Sequence, residues 1–250
     1  MAPFGASRAG LMSVTGDDIP DSGLDHQWNY DVESDTVEDT IGNLDIDFNG
    51  DGTWQTDAGA GGIYLDLDGV DDYGVIPNSD EQFGHWTEDG NGTIMGWFYP
   101  DEDQFAQLYS TGAFSAVDSA AFSTKLRDNG NYDMEVRDSN GDVVVQIQTD
   151  GYVIDEWNFF AFVSDENANE ARLYDAVVTD SETTEIGSDS GVATNEGATH
   201  DDDLFVGRRP DASGGGDFFD GGLDLAAEGS QVLDKSAIDD FFADSKGFYE

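Results

Sequence analysis

The sequence predicts an all-β protein, a sandwich of two antiparallel sheets with a short helix near its C-terminus. Three observations carry this. Apolar and polar residues alternate at a spacing of two, most plainly in residues 65–78 and 131–148, as strands buried on one face require. Residues 93–100 are apolar at nearly every position, the pattern of a central strand covered on both faces. Near the end, Ala237, Ile238, Phe241 and Phe242 share one helical face behind Asp234, a suitable N-cap.

A chain of 250 residues can bury a full core in one unit. Its 55 acidic residues stand against 9 basic ones, a formal net charge of −46. Such self-repulsion is tolerable in molar salt, where the Debye length falls to roughly 3 Å. The composition therefore reads as that of an extreme halophile. Disorder is the rival reading of so high a charge. Against it stand 16 Phe, 9 Tyr and 5 Trp, placed inside alternating segments.

The same charge excludes nucleic-acid binding, since no basic stripe is available to displace counterions from phosphates. Anionic membrane surfaces are disfavoured for that reason too. The absence of cysteine excludes disulfides and Cys-ligated zinc. No apolar run approaches the roughly 20 residues of a membrane span. The N-terminus lacks the charged start and apolar core of a Sec signal, so export by that route is not expected.

Residues 1–22 differ in kind from the rest. The first 16 hold Arg8 and no acid, with Phe4, Leu11 and Met12 set among glycines and small residues. In so acidic a chain this uncharged stretch reads as an arm that docks onto a partner or a second copy. A frayed terminus is the plain alternative. Residues 23–250 read as the sandwich. In 65–78, Leu65, Leu67, Tyr73, Val75 and Pro77 are expected to face the core, with Asp66, Asp68, Asp71 and Asp72 outward and a tight turn at Gly69. The strand over 93–100 ends at Pro100. In 131–148, Tyr132, Met134 and Val136 alternate with Asp133, Glu135 and Arg137, Asn140-Gly141 turns, and Val143, Val145 and Ile147 return. Residues 179–203 read as a long solvated loop.

These segments resemble the laminin-G-like and concanavalin A-like lectin family. The phrase Asp68-Gly-Val-Asp-Asp-Tyr73, followed by Val-Ile-Pro, is similar to the opening of that family's core. Thr93-Ile-Met-Gly-Trp-Phe-Tyr-Pro100 resembles its Thr-Ile-x-x-Trp-Val-x-Pro strand. Glu156-Trp-Asn-Phe-Phe-Ala-Phe-Val163 and Ala171-Arg-Leu-Tyr174 resemble two later strands, although the glycine at the turn after the second is missing. The likeness also implies a first strand at His26-Gln-Trp28 with Asp31, a strand pair over 44–54, strands over 107–112 and 121–127, and closing strands over 204–211 and 219–224. After Asp224 the usual apolar strand is replaced by Leu-Ala-Ala-Glu-Gly-Ser, which implies weak pairing there. The resemblance covers residues 26–243 and implies a jelly-roll sandwich. The opening Phe4-Gly-Ala-Ser-Arg8 also resembles the starts of tail and fibre proteins of prokaryotic viruses.

Enzymes of this fold that cut β-glucans carry three acids on one strand, and Glu33-Ser-Asp35-Thr-Val-Glu38 has that spacing. Acids are so frequent that a chance match is expected, and no catalytic residue is assigned. No Gly-x-Ser-x-Gly elbow occurs, and His26, His85 and His200 lack metal-ligand spacing. Asp45-Ile-Asp47-Phe-Asn49-Gly-Asp51-Gly reproduces the first half of an EF-hand loop, but Thr56 stands where the closing Glu would be. A hairpin tip is the simpler reading.

The resemblance implies a structural Ca²⁺ held by Asp31 and Asp224 with Asp68 or Asp71, the alternative being ordinary halophile surface acids. Trp54 and Trp86 near turns, and Phe218 and Phe219 after a glycine loop, are candidates to stack on sugar faces. Partly buried loop anchors are the alternative.

The expectation is a non-enzymatic virion surface protein whose lectin-like sandwich contacts host glycans. The arm, through Phe4, Arg8, Leu11 and Met12, would hold it to other virion proteins or in a homo-oligomer, assembled in the host cytoplasm. A decoration subunit without glycan binding, or a glycoside hydrolase using Glu33, Asp35 and Glu38, are the alternatives. A cell-surface or extracellular location by an unrecognised route is the alternative to the virion.

Overall fold

Alternating segments become strands, and every strand pairing described is antiparallel. The computed structural model describes residues 24–30, 33–56, 59, 62–77, 83–111, 121–138, 140, 142–190, 203–209 and 218–249. Strands β1 (His26–Trp28), β2 (Thr36–Val37), β3 (Ile46–Asn49), β4 (Thr53–Gln55), β5 (Tyr64–Asp68) and β6 (Tyr73–Ile76) precede one helical turn, α1 (His85–Glu88). Then come β7 (Gly92–Pro100), β8 (Ala106–Thr111), β9 (Ala121–Arg127), β10 (Asn131–Arg137) and β11 (Val143–Asp150). The last strands are β12 (Asn158–Asp165), β13 (Glu170–Val177), β14 (Thr184–Asp189), β15 (Leu204–Val206) and β16 (Asp220–Gly229), before helix α2 (Lys235–Ser245).

Sheet A runs β14-β13-β12-β7-β16-β5-β4, with β1 also paired to β16, and sheet B runs β11-β10-β9-β8-β15-β6-β3-β2. Ile94, Phe98 and Phe160 of sheet A meet Phe122, Met134 and Leu204 of sheet B in the main core. The other face of sheet A carries a second core, in which Met95, Trp97, Phe159 and Leu225 pack against Ile238, Phe241 and Phe242 of α2. Trp97 stacks on Tyr249 with ring centroids 4.2 Å apart, and its Nε1 donates to Ser245 Oγ at 2.9 Å. The order of layers is sheet B, sheet A, helix. As expected, β7 is central and buried on both faces. Asp234 caps α2 by accepting from the Ala237 N–H at 3.0 Å.

Four expectations are corrected. Residues 65–78 form the expected strand, turn and strand, but β5 lies in sheet A and β6 in sheet B, so the stretch is a corner between sheets. Gly69 turns it at φ +70°, a conformation a Cβ would penalise. The buried Asp72 carboxylate fastens it, accepting the backbone N–H of Asp51 at 2.8 Å and of Asp68 at 3.0 Å. In β6 the inward residues are Gly74 and Ile76, while Tyr73 and Val75 are half-buried and Pro77 is exposed. Likewise β3 and β4, the expected pair over 44–54, fall in different sheets.

The expected loop over 179–203 contains β14, an edge strand of sheet A with no fully buried residue and so little alternation. The segment after Asp224 is not weakly paired. It belongs to β16, ten residues long, which pairs with β7, β5 and β1. Small Ala226 and Ala227 suit a strand with a layer pressed on each face.

A buried carboxylate also ties β1 to the loop between β2 and β3. Asp39 accepts the backbone N–H groups of Gln27, Ile41, Gly42 and Leu44, and its Oδ2 lies 2.6 Å from His26 Nδ1. Burial pushes its carboxyl up, but these hydrogen bonds outweigh that and hold it below the usual value.

Asp175 on β13 shows the opposite balance. Burial, with a smaller contribution from the Asp180 charge, pushes its carboxyl up to about 6. The fold therefore favours the neutral acid. That stabilisation is complete below the ordinary carboxylate value of about 4 and is lost as pH rises through about 6. Asp175→Asn is expected to raise the denaturant midpoint at pH 8 and to leave it nearly unchanged at pH 4; an equal shift at both would refute the assignment.

Candidate functional site

Sheet A has a layer on each face, so the outer face of sheet B is the large sheet surface free of a packed helix among the described residues. Directly paired antiparallel residues share a face, and the register draws one row across it. Gln146 pairs with Glu135, Glu135 with Ser123, Ser123 with Ser110, Ser110 with Phe205, and Phe205 with Val75. A parallel row links Gln148, Asp133, Lys125 and Gln107.

The centre of this face is charged and buried. Lys125, Asp133 and Glu135 are exposed by only 6%, 0% and 3%. Lys125 Nζ lies 2.7 Å from Glu135 Oε2 and 3.8 Å from Asp133 Oδ2. Arg127 donates to Asp133 Oδ2 through Nε at 2.7 Å and Nη2 at 2.6 Å, and Gln146 Nε2 donates to Asp133 Oδ1 at 3.1 Å. Arg137 Nε donates to Glu135 Oε1. Beside this network, Ser123 Oγ and Gln107 Oε1 are buried without a hydrogen-bond partner among the described residues. Buried polar atoms are rarely left without a hydrogen bond, so each marks a place where water or a further polar group is expected.

One end of the same face is aromatic. The Arg208 guanidinium lies 4.1 Å over the Tyr73 ring, 5.3 Å over Phe205 and 5.6 Å over Phe218. All three rings are half-buried. Ser110 Oγ donates to the Arg208 carbonyl at 3.0 Å, tying the aromatic end to the polar centre.

The residues singled out from sequence divide. Phe218 lies at this aromatic end. Trp54 is half-buried, and with Asp35, Asn49 and Asp51 it lines a separate cleft of about 80 Å³. Trp86 and Phe219 are corrected to core residues, both 0% exposed. Trp86 is stacked between Phe122 and Phe162 and donates to Glu228 Oε1 at 2.7 Å, while Phe219 packs on Phe98. Neither presents a face to a sugar.

Of the expected metal set, Asp68 and Asp71 do not come together with Asp224. Asp31 lies outside the described residues, as do Phe4, Arg8, Leu11 and Met12. Asp68 pairs with Asp220, which leaves Asp224 roughly 13 Å further along β16. Asp224 is fully buried opposite Trp97 and accepts from the Leu225 N–H at 2.7 Å. Asp68 and Asp71 instead meet Asp51, with carboxylate oxygens within 4.8 Å of one another, all exposed. The adjacent Asp72 carboxyl is raised, by burial first and then by the charges of Asp68 and Asp51, despite its two backbone donors.

Asp45 and Asp47 do not join this cluster. Asp45 accepts from the Asp39 N–H and Asp47 from the Thr36 hydroxyl. Glu33, Asp35 and Glu38 are exposed and flank a strand of two residues, Thr36–Val37, so alternation does not align them.

No family model matches the sequence, and neither does any curated protein sequence. The fold is similar to that of Trypanosoma rangeli sialidase in complex with 2,3-difluorosialic acid, at a TM-score of 0.63 and 15% identity. That match covers 90% of this chain and 33% of the sialidase, so the chain spans a third of that protein's length. Domain 4 of AbnA, an extracellular arabinanase from Geobacillus stearothermophilus solved with arabinotriose, matches at a TM-score of 0.59 and 14% identity, covering 87% of this chain and 97% of that domain. The CBM40 of a Ruminococcus gnavus sialidase, bound to α2,3-sialyllactose, matches at 0.52 and 15% identity, covering 78% of this chain and 97% of that one. The shared feature is the β-sandwich of two antiparallel sheets.

Lys125→Met removes the ammonium between two buried carboxylates and is expected to cost about 3–5 kcal/mol. Lys235→Met, at the half-exposed pair with Asp239, should cost under about 1 kcal/mol. Denaturant unfolding in molar salt compares them, and equal costs would mean the Lys125 network is not a desolvated unit.

Proposed function

We propose that this domain is a non-catalytic carbohydrate-binding module whose sugar lies across the outer face of sheet B. The observation that carries the reading is the pairing of half-buried Tyr73, Phe205 and Phe218 with a polar centre whose Ser123 Oγ and Gln107 Oε1 have no described partner. Sugars are bound by an aromatic face beneath their C–H groups and fixed hydrogen-bonding atoms beside it. The solved sandwiches with arabinotriose and sialyllactose add support at the level of fold. A catalytic role is disfavoured because the Asp133 and Glu135 carboxylates are each engaged by cationic side chains within a buried network, which leaves neither of them open to a scissile bond.

The finer reading is attachment. The module would be displayed on the virion of a halophilic virus, joined to other virion proteins or to further copies through residues 1–22. The composition and the character of that arm support it. Asp51, Asp68 and Asp71 are proposed as Ca²⁺ ligands that relieve the repulsion around Asp72, since oxygen-only donors suit that ion.

A glycan array in molar KCl tests the main reading. Wild type should bind, and Phe218→Ala should bind about tenfold more weakly with an unchanged unfolding midpoint, the loss of roughly one stacking contact. A dark array would favour a decoration subunit, and released sugar would make it a hydrolase. For the cation, Ca²⁺ should raise the midpoint of wild type and not of Asp68→Asn; an equal response in both would remove the assignment.

A further inference from the structure

We propose that the cleft beside Trp54 is a binding site of its own, separate from the outer face of sheet B, and that it takes an alkylammonium group. The chemical class is a short methylene stem ending in a positively charged nitrogen. The cleft lies at the corner where β3 of sheet B gives way to β4 of sheet A. Its apolar lining is the buried Leu65 and Leu67 and the half-buried rings of Phe48 and Trp54. Tyr30, fully buried, packs against both rings, its centroid 6.0 Å from that of Phe48 and 6.5 Å from that of Trp54. Gly74 gives the Phe48 ring its place, since a Cβ there would lie 3.0 Å from Phe48 Cε1. A Cβ at Gly52 would press on two of the lining residues, 3.2 Å from Leu65 Cδ1 and 3.5 Å from Leu67 Cδ2. Walls fixed in this way are preorganised for a ligand.

The polar lining sets the sign of the ligand. Asp35, Asn49 and Asp51 are exposed at the mouth, and no basic side chain lines the cleft among the described residues. Asp68 and Asp71 bring further negative charge to Asp51, whose backbone N–H is fastened to the Asp72 carboxylate at 2.8 Å. An anion is therefore repelled, whereas ring faces with carboxylates beside them attract an ammonium. Size sets the rest. At about 80 Å³ the cleft is far below the roughly 300–1,000 Å³ that encloses a whole ligand, so it takes the end of a molecule rather than a sugar ring. An apolar floor under a charged mouth suits a methylene stem that keeps its nitrogen at the surface.

The test is a titration of the full chain in molar KCl, with Ca²⁺ absent because Asp51 also belongs to the proposed Ca²⁺ set. The probes are cadaverine, N-acetyl-lysine methylamide and pentanol, which offer similar stems with and without the charge. Saturable binding of an amine is expected, at least tenfold tighter than that of the alcohol. Whichever amine binds more tightly identifies the source, a free diamine or a lysine side chain. Trp54→Ala should weaken amine binding about tenfold, the loss of one ring contact with a cation. Trp54→Phe keeps a ring and should retain most of the affinity, which separates the contact from the fold. Asp35→Asn, at an exposed position, should weaken binding about threefold. Diffuse attraction to the acid-rich surface would survive Trp54→Ala, so an unchanged affinity in that variant would overturn the inference. Equal binding of pentanol, or no saturable binding of either amine, would overturn it too. All of these outcomes leave the glycan reading of sheet B standing, since its ligand is tested separately on the array.

Discussion

Strands β7 and β16 stand side by side in sheet A with apolar groups on both faces, and burying both faces demands a layer on each side. Sheet B supplies one layer and helix α2 the other. Trp97 is the point where the second layer is fastened, through Phe242, Tyr249 and the Ser245 hydroxyl. Burial of large aromatic side chains is worth about 2–3 kcal/mol each, so this outer core is a major part of the fold's stability. Its consequence is asymmetric: both faces of sheet A are packed, whereas among the described residues only the inner face of sheet B carries an apolar core.

That remaining face is costly in a way that stability alone does not explain. Lys125, Asp133 and Glu135 are removed from water, at several kcal/mol of desolvation per ion that good pairing only offsets. A face needing only to be inert would carry short polar or β-branched residues. Here long charged side chains are locked together beside two hydrogen-bonding atoms without described partners. Such an arrangement is preorganised, which is what a binding surface requires. The acid-rich remainder of the chain makes the contrast sharper, because half-neutralised patches are scarce on a surface of net charge −46.

The sandwich was legible because its signals are local. Two-residue alternation in β10 and β11, apolar continuity in β7 and the Asp234 cap each depend on neighbours within a few positions, and all three lie where the sequence places them. Even the charged face left a trace, since Asp133, Glu135 and Arg137 are the outward set of one strand. Where the local signal is faint, as in the exposed edge strand β14, the element was missed.

Which sheet a strand joins is not a local property. The corners at Gly50–Gly52 and Gly69–Asp72 look like hairpin turns in sequence, and only the packing of two sheets sends their strands apart. The same holds for Trp86 and Phe219, whose burial depends on Phe122, Phe162 and Phe98 arriving from distant strands. Ser110 meets the Arg208 carbonyl across 98 positions of sequence, and Trp86 meets Glu228 across 142. Periodicity and apolar patterning were enough for a β-sandwich with a capped terminal helix. Cross-strand register, which no spacing encodes, gathered Lys125, Arg127, Asp133, Glu135 and Arg137 beside the aromatic end of sheet B.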